Sequence, residues 1–197
     1  MSKRIFDVLL SGVGLLLSSP LWLIIAVAIK LDDRGPVFFT QRRVGRGARP
    51  FVVYKFRSMR PATTLPATAD PAHRITRVGR ILRNTAMDEL PQLWNIFRGD
   101  MSFVGPRALS EDEVTLGLDG RVVRLEDVPG YRERHDVVPG LTGLAQVFAS
   151  RDLRPAGKFR LDRLYVRRAG LWLDARLVAL SFWISIRGRW ETKGPKF

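Results

Sequence analysis

Two adjacent carboxylates, Asp88 and Glu89, follow a run of arginines at Arg77, Arg80 and Arg83. Acidic residues in the first turn of a helix complement its dipole, so one reading is that Asp88 simply caps a helix. The other is phosphoryl chemistry, in which helix amides, arginines and a divalent ion hold an anionic phosphate while a carboxylate attacks it. Both reactants are anions, so the attack requires cations to neutralise them. Neighbouring helical residues point about 100° apart, so the two carboxylates would not duplicate one role. The chain has no cysteine, and its two histidines, His73 and His135, lie far apart and outside any zinc-binding spacing. A metal at this pair would be a hard ion held by carboxylates and substrate phosphates, which points to magnesium.

The elements around the pair must supply cations. Arg74, Arg77, Arg80 and Arg83 recur every third residue, with Ile75, Val78 and Leu82 on another face, which predicts a short helix with a basic stripe. Thr85 to Asp88 fits a capping box, so a second helix is expected to start at Thr85, with Leu90, Leu93, Trp94 and Phe97 as its apolar face. Upstream, Val37–Gln41 and Phe51–Met59 read as two strands around the turn residues 43–47. Alternation in the second strand puts Tyr54 and Phe56 on one face and Lys55 and Arg57 on the other, which is either a solvated basic face or a binding one. Pro61–Ala72 reads as a mobile loop and Pro139–Gly143 as a turn-rich loop. Residues 111–134 are a charged mixture without a clear period. Leu171–Ile186 is apolar but carries Asp174 and Arg176, so it suits an interfacial helix or a buried one.

An apolar run from Ile5 to Leu31 is broken near its middle by Ser18, Ser19 and Pro20. At about 1.5 Å per residue the run is long enough to cross a bilayer core. Proline removes the hydrogen bond to the carbonyl four residues back, here Leu16, and a serine hydroxyl could take up that carbonyl in lipid. Lys3 and Arg4 precede the run, and Lys30, Arg34, Arg42, Arg43, Arg46 and Arg49 follow it. Both ends therefore favour the cytoplasmic side, so a helix that enters one leaflet, turns at Ser19-Pro20 and returns is preferred over a kinked span. Ala26-Val27-Ala28 mimics a signal-peptide cleavage site, but Asp7 and the dense positive charge after the run argue against export.

Thirty-three Lys and Arg against 19 Asp and Glu give a formal charge of +14. Such a balance implies an anionic partner: nucleic acid, lipid head groups or phosphorylated substrates. Beyond the apolar run the chain suffices for one compact domain with a core.

Seven segments occur in a fixed order: Lys3-Arg4-x-Phe6-Asp7, Ser19-Pro20, Gly35-Pro36-Val37-Phe38-Phe39, Tyr54-Lys55-Phe56-Arg57-Ser58-Met59, Asp88-Glu89-Leu90-Pro91-Gln92-Leu93-x-Asn95, Arg98-Gly99-Asp100-Met101-Ser102 and Pro139-Gly140-Leu141-Thr142-Gly143. Together they closely resemble the bacterial sugar transferases, and more narrowly the small monotopic phosphoglycosyl transferases that initiate glycan assembly on polyprenol phosphate. The resemblance runs from residue 3 to about residue 174.

It implies a ping-pong reaction. Asp88 would attack the β-phosphate of a UDP-sugar and release UMP, and polyprenol phosphate would then take the sugar phosphate from the aspartyl intermediate. Magnesium is the implied cofactor, held by Asp88 and Glu89, with Glu89 assisting metal binding or proton transfer. Lys55, Arg57, Arg83 and Arg107 are the candidates for diphosphate or nucleotide contact, and Asp162 matches a further acidic position.

The expected fold is α+β and mainly α. Residues 1–34 form a re-entrant helix-break-helix anchor, and residues 35–197 a membrane-associated catalytic domain. That domain carries a small β-hairpin and several amphipathic or interfacial helices around an active site at the membrane surface. The implied location is the cytoplasmic face of the bacterial inner membrane, in contact with the lipid bilayer and without a nucleic-acid partner; a homodimer is left open.

Ala108, Leu144, Phe148–Arg151 and Leu161 depart from residues common in the family, which leaves the sugar open rather than the reaction. A non-catalytic basic module binding anionic lipid or nucleic acid accounts equally for charge and anchor. It does not account for an acidic pair interrupting a basic region.

Overall fold

The computed structural model describes residues 2–61, 71–111, 113–116, 121–150, 152–187 and 190. The architecture is α+β and mainly helical, beginning with one long helix, α1 (Ser2–Asp33). α1 continues through Pro20 rather than dividing into two helices. The Ser19 hydroxyl donates to the Leu16 carbonyl at 2.8 Å, so the acceptor that Pro20 frees is taken up locally. By length and composition α1 could cross a membrane.

Both ends of α1 are fastened to the rest of the chain. Near its start, Lys3 pairs with Asp174 at 2.6 Å, and Arg4 donates to the carbonyls of Ile96 and Phe97. The buried Asp7 carboxylate accepts from the Ser102 hydroxyl and the Phe103 amide. At the other end Asp32 accepts from the Val78 amide, Asp33 pairs with Arg57, and Ile25 and Ile29 pack with Phe56 and Leu82.

A hairpin follows, β1 (Phe38–Val44) pairing antiparallel with β2 (Pro50–Phe56), Phe39 opposite Lys55. The expected hairpin is present, but its turn falls at 45–49, where Gly47 takes a positive φ of 63°. β2 stops at Phe56; Met59 instead bridges to Ile75. Of the Pro61–Ala72 segment expected to be mobile, 62–70 lie outside the described residues.

Next come α2 (Arg77–Thr85) and α3 (Gln92–Arg98), then β3 (Ser102–Val104), β4 (Val114–Leu116) and β5 (Val122–Arg124). α4 (Tyr131–Arg134), β6 (Gly140–Thr142), α5 (Leu144–Phe148), α6 (Pro155–Arg168) and α7 (Leu171–Ile186) complete the described elements. The basic helix starts later than expected, at Arg77, because the Thr76 hydroxyl accepts from the Gly79 amide and caps it there. Residues 139–143 are not merely a loop: β6 runs parallel to β3, Ser102 opposite Gly140 and Val104 opposite Thr142.

The core gathers where α3, the β3/β6 pair, α5, α6 and α7 meet, around Val53, Ile96, Val104, Val147, Tyr165, Leu177 and Ile184. α7 has the expected bounds, and one of its faces is buried as a core helix's would be. Asp174, Leu177 and Ile184 are buried, whereas Trp172, Phe182, Trp183 and Ile186 face outward.

Candidate active site

The acidic pair sits in a tight turn between two helices, not in the first turn of one. Thr85 closes α2 instead of opening the next helix, its hydroxyl donating back to the Ile81 carbonyl at 2.9 Å. The expected capping box is therefore absent. Ala86 then takes a left-handed φ of 57°, and a 3-10 turn over Met87–Glu89 leads through Pro91 into α3. A non-glycine residue in that conformation stores about 1 kcal/mol or more, held here because both flanking helices are packed. The apolar face of α3 is also different from the expected one: Leu93 and Ile96 are buried, while Trp94 and Phe97 stack on each other, largely exposed.

The surroundings drive the two carboxylates apart. Asp88 is buried, and that burial, reinforced by the neighbouring Glu89 charge, pushes its pKa up to about 6 against the opposing pull of Lys55 and Arg83. Glu89 is also burdened by burial, but Lys55, Arg107 and Arg43 outweigh it and hold its carboxyl below the usual range. The Lys55 ammonium donates directly to Glu89 Oε1. Among the described residues, Asp88 forms no ion pair. Carboxylates separated in this way suit different chemical uses: one already holds its cation, and the other is a buried, more basic carboxylate.

Side chains from outside the turn set this geometry. Asn95, fully buried on α3, accepts from the Tyr54 amide at 3.2 Å and donates to the Val52 carbonyl at 2.7 Å. It thus pairs with the free edge of β2, the strand that carries Lys55.

The segment carrying Arg107 is fastened at four consecutive carbonyls. Pro106 O accepts from the Gly140 amide, Arg107 O from Arg134 Nη2, Ala108 O from Arg43 Nη1 and Leu109 O from the Val44 amide, at 2.6–3.0 Å. Gly105 and Gly140 permit this crossing, since a Cβ on Gly140 would lie 2.0 Å from the Gly105 nitrogen.

Of the residues singled out from sequence, Lys55, Arg83 and Arg107 surround the acidic pair. Two others are themselves buried and paired elsewhere. Arg57, 8% exposed, pairs with Asp33, and Asp162, 2% exposed, pairs with Arg134. Arg43 was legible only as one of many basic residues after the apolar run, yet it shares a small cleft with Lys55, Glu89, Gln92 and Arg107. Its own pKa is lowered by burial and by Arg107, an arrangement that an anion would relieve. Arg134 had no signal in the sequence, and Asn95 had one only as part of the acidic motif.

Among the described residues no group of three or more His, Cys, Asp or Glu side chains converges as a metal cage. Two adjacent carboxylates nevertheless suit magnesium, which takes one or two carboxylates and completes its shell with phosphate oxygens and water. The buried Asp88 would also gain from a cation beside it.

Comparison with known proteins gives this geometry a context. The family model for bacterial sugar transferases matches residues 1–188. The exopolysaccharide production protein PSS of Rhizobium leguminosarum bv. phaseoli is 41% identical over 186 residues, covering 89% of this chain and 90% of that protein. A UDP-glucose:undecaprenyl-phosphate glucose-1-phosphate transferase of Klebsiella pneumoniae is 39% identical over 190 residues, covering 91% of this chain and 39% of its own. A UDP-N-acetylgalactosamine-undecaprenyl-phosphate N-acetylgalactosaminephosphotransferase of Aeromonas hydrophila is 40% identical over 182 residues, covering 89% and 41%. The chain spans about two fifths of the length of these last two relatives.

Proposed function

The chain belongs to the bacterial sugar transferase family, and on that premise we propose that it moves a sugar 1-phosphate from a UDP-sugar to polyprenol phosphate. The observation that carries this reading is the division of labour in the acidic pair: Glu89 is engaged by Lys55, while Asp88 is buried, raised toward about 6 and without an ion pair among the described residues. In the first step an Asp88 carboxylate oxygen attacks the β-phosphorus. The bond to the bridging oxygen breaks, and UMP leaves with its electron pair. In the second step an oxygen of polyprenol phosphate attacks the same phosphorus, the acyl phosphate bond breaks, and the Asp88 carboxylate is regenerated as polyprenyl diphosphate sugar leaves.

Both steps are phosphoryl transfers, which depend on positioning and charge neutralisation. Lys55, Arg83, Arg107 and Arg43 supply fixed cations around the reacting phosphates. Asp88 and Glu89 would hold magnesium together with substrate oxygens, and the ion would neutralise charge there. The buried positions of Arg57 and Asp162 assign them to holding the site rather than touching substrate.

The same reading puts residues 1–34 in the membrane as a re-entrant anchor and residues 35–197 at the cytoplasmic face of the inner membrane. It is supported by the fastening of both ends of α1 to one body, which a straight span would pull to opposite sides. Outward-facing Leu16 and Leu17, beside the proline, would meet lipid at the deepest part of that anchor. On α7, Arg176 lies over the Trp172 ring and Arg187 over the Trp183 ring, an aromatic and basic surface suited to head-group depth.

The decisive experiment is an intact mass measurement after incubation with a panel of UDP-sugars and magnesium but no lipid acceptor. A sugar-phosphate adduct located on Asp88 is expected. Turnover without any adduct, or an adduct elsewhere, would overturn the assignment.

A further inference from the structure

The guanidinium of Arg134 joins a buried carboxylate to a backbone carbonyl. Its Nε donates to Asp162 Oδ2 at 2.9 Å, and its Nη2 donates to the backbone carbonyl of Arg107 at 2.6 Å. Its flat face also lies 4.7 Å from the centre of the Phe159 ring. Arg134 and Asp162 are each 2% exposed, so neither side chain reaches a substrate. A buried ion pair of this kind adds little stability over an apolar pair of equal volume, and its main product is geometry. What it fixes here is the one carbonyl that belongs to Arg107 itself, the residue whose cation acts on Glu89.

We propose that Arg134, oriented by Asp162, is a positioning residue that sets the Arg107 guanidinium against the acidic pair and the substrate phosphates. The proposal rests on the sugar-phosphate transfer reading and gives Asp162 a role at one remove. Arg134 is the link between α6, where Asp162 lies, and the segment entering the site. Lysine offers only one nitrogen and cannot span both partners with the same planar fork.

The test uses the full chain in lipid, with UMP release from UDP-glucose and undecaprenyl phosphate as readout. Arg134→Lys, and the neutral pair Arg134→Gln with Asp162→Asn, which leaves no unpaired buried charge, are each compared with Arg107→Ala and combined with it. Each is expected to lower kcat/KM by about tenfold to a hundredfold, as small misplacements of a catalytic cation do. Combination with Arg107→Ala should bring no further loss, whereas a merely structural defect would multiply it. Multiplying losses, a wild-type rate in Arg134→Lys, or full activity in Arg107→Ala would each overturn the proposal. A second readout is independent of activity: amide hydrogen exchange across residues 105–109 should be faster in Arg134→Lys than in wild type. Unchanged exchange overturns the positioning role. A wild-type protein that releases no UMP from any UDP-sugar would instead sink the transfer reading, and the exchange measurement would still decide this one.

Discussion

Asp88 and Glu89 are neighbours in the chain with opposite surroundings: Lys55 donates to Glu89, while burial and the Glu89 charge raise Asp88 to about 6. An attacking oxygen must be ionised and not tied up by a side-chain hydrogen bond; Lys55 occupies Glu89 and leaves Asp88 as the carboxylate fit for that role near neutral pH.

Asp88→Asn should reduce UMP release by more than about a thousandfold. The same variant should be the more stable protein in alkali. A carboxyl whose folded pKa lies above its ordinary 3.8 contributes stability that is complete below about 4 and is lost as pH rises through about 6. At pH 8 the asparagine form should therefore gain about 3 kcal/mol in denaturant unfolding, and the difference should vanish near pH 4. Near-normal turnover would remove Asp88 as the nucleophile.

The wild-type kcat/KM should fall about tenfold per pH unit below roughly 6, as Asp88 takes up a proton. Glu89→Gln deletes the neighbouring negative charge and should move that acid limb to lower pH, while lowering the plateau rate strongly. Lys55→Met removes an opposing positive charge and should move the limb to higher pH. Shifts of the same sign in both variants would contradict the electrostatic assignment.

Asn95→Ala should destabilise the fold by about 1–3 kcal/mol, since the Val52 carbonyl and Tyr54 amide lose their buried partner. Turnover should fall as well, because β2 carries Lys55. Thermal unfolding and UMP release on the same sample separate the two effects, and unchanged turnover would detach Asn95 from the site.

The chain has no cysteine, so single-cysteine variants report topology cleanly. Ser2→Cys and Pro36→Cys should both react with an impermeant thiol reagent applied from the cytoplasmic side and neither from the opposite side. Adding Pro20→Leu should divide the Ser2→Cys labelling between the two sides. Labelling of Ser2→Cys only from the far side would show that α1 spans.

Local chemistry explains how much was legible in advance. The hairpin declared itself through alternation and turn residues, α7 through its apolar length, and the Leu16 carbonyl through the stereochemistry of proline. The site cations Lys55, Arg83 and Arg107 could be named because their segments resemble a known pattern. Thr85 misled because Thr-x-x-Asp has the same appearance at a helix end as at a helix start, and only the left-handed Ala86 decides between them. The short parallel β3/β6 pair was hidden because three-residue strands carry no period, and α6 went unrecognised beneath its many charges. Arg57 and Asp162 were identifiable as important but not by partner, since Asp33 lies 24 residues from Arg57 and Arg134 lies 28 from Asp162. Contacts of that separation exist only after folding.

The double fastening of α1 bears on how the protein can be handled. Removing residues 1–33 would strip Phe56 and Leu82 of Ile25 and Ile29 and leave the Phe103 and Val78 amides without their acceptors. It would also release Arg57 from Asp33 at the exit of the strand that carries Lys55. A water-soluble fragment made by trimming the apolar segment is thus a different folding problem, and detergent or lipid has to be treated as part of the solvent in which the catalytic machinery assembles.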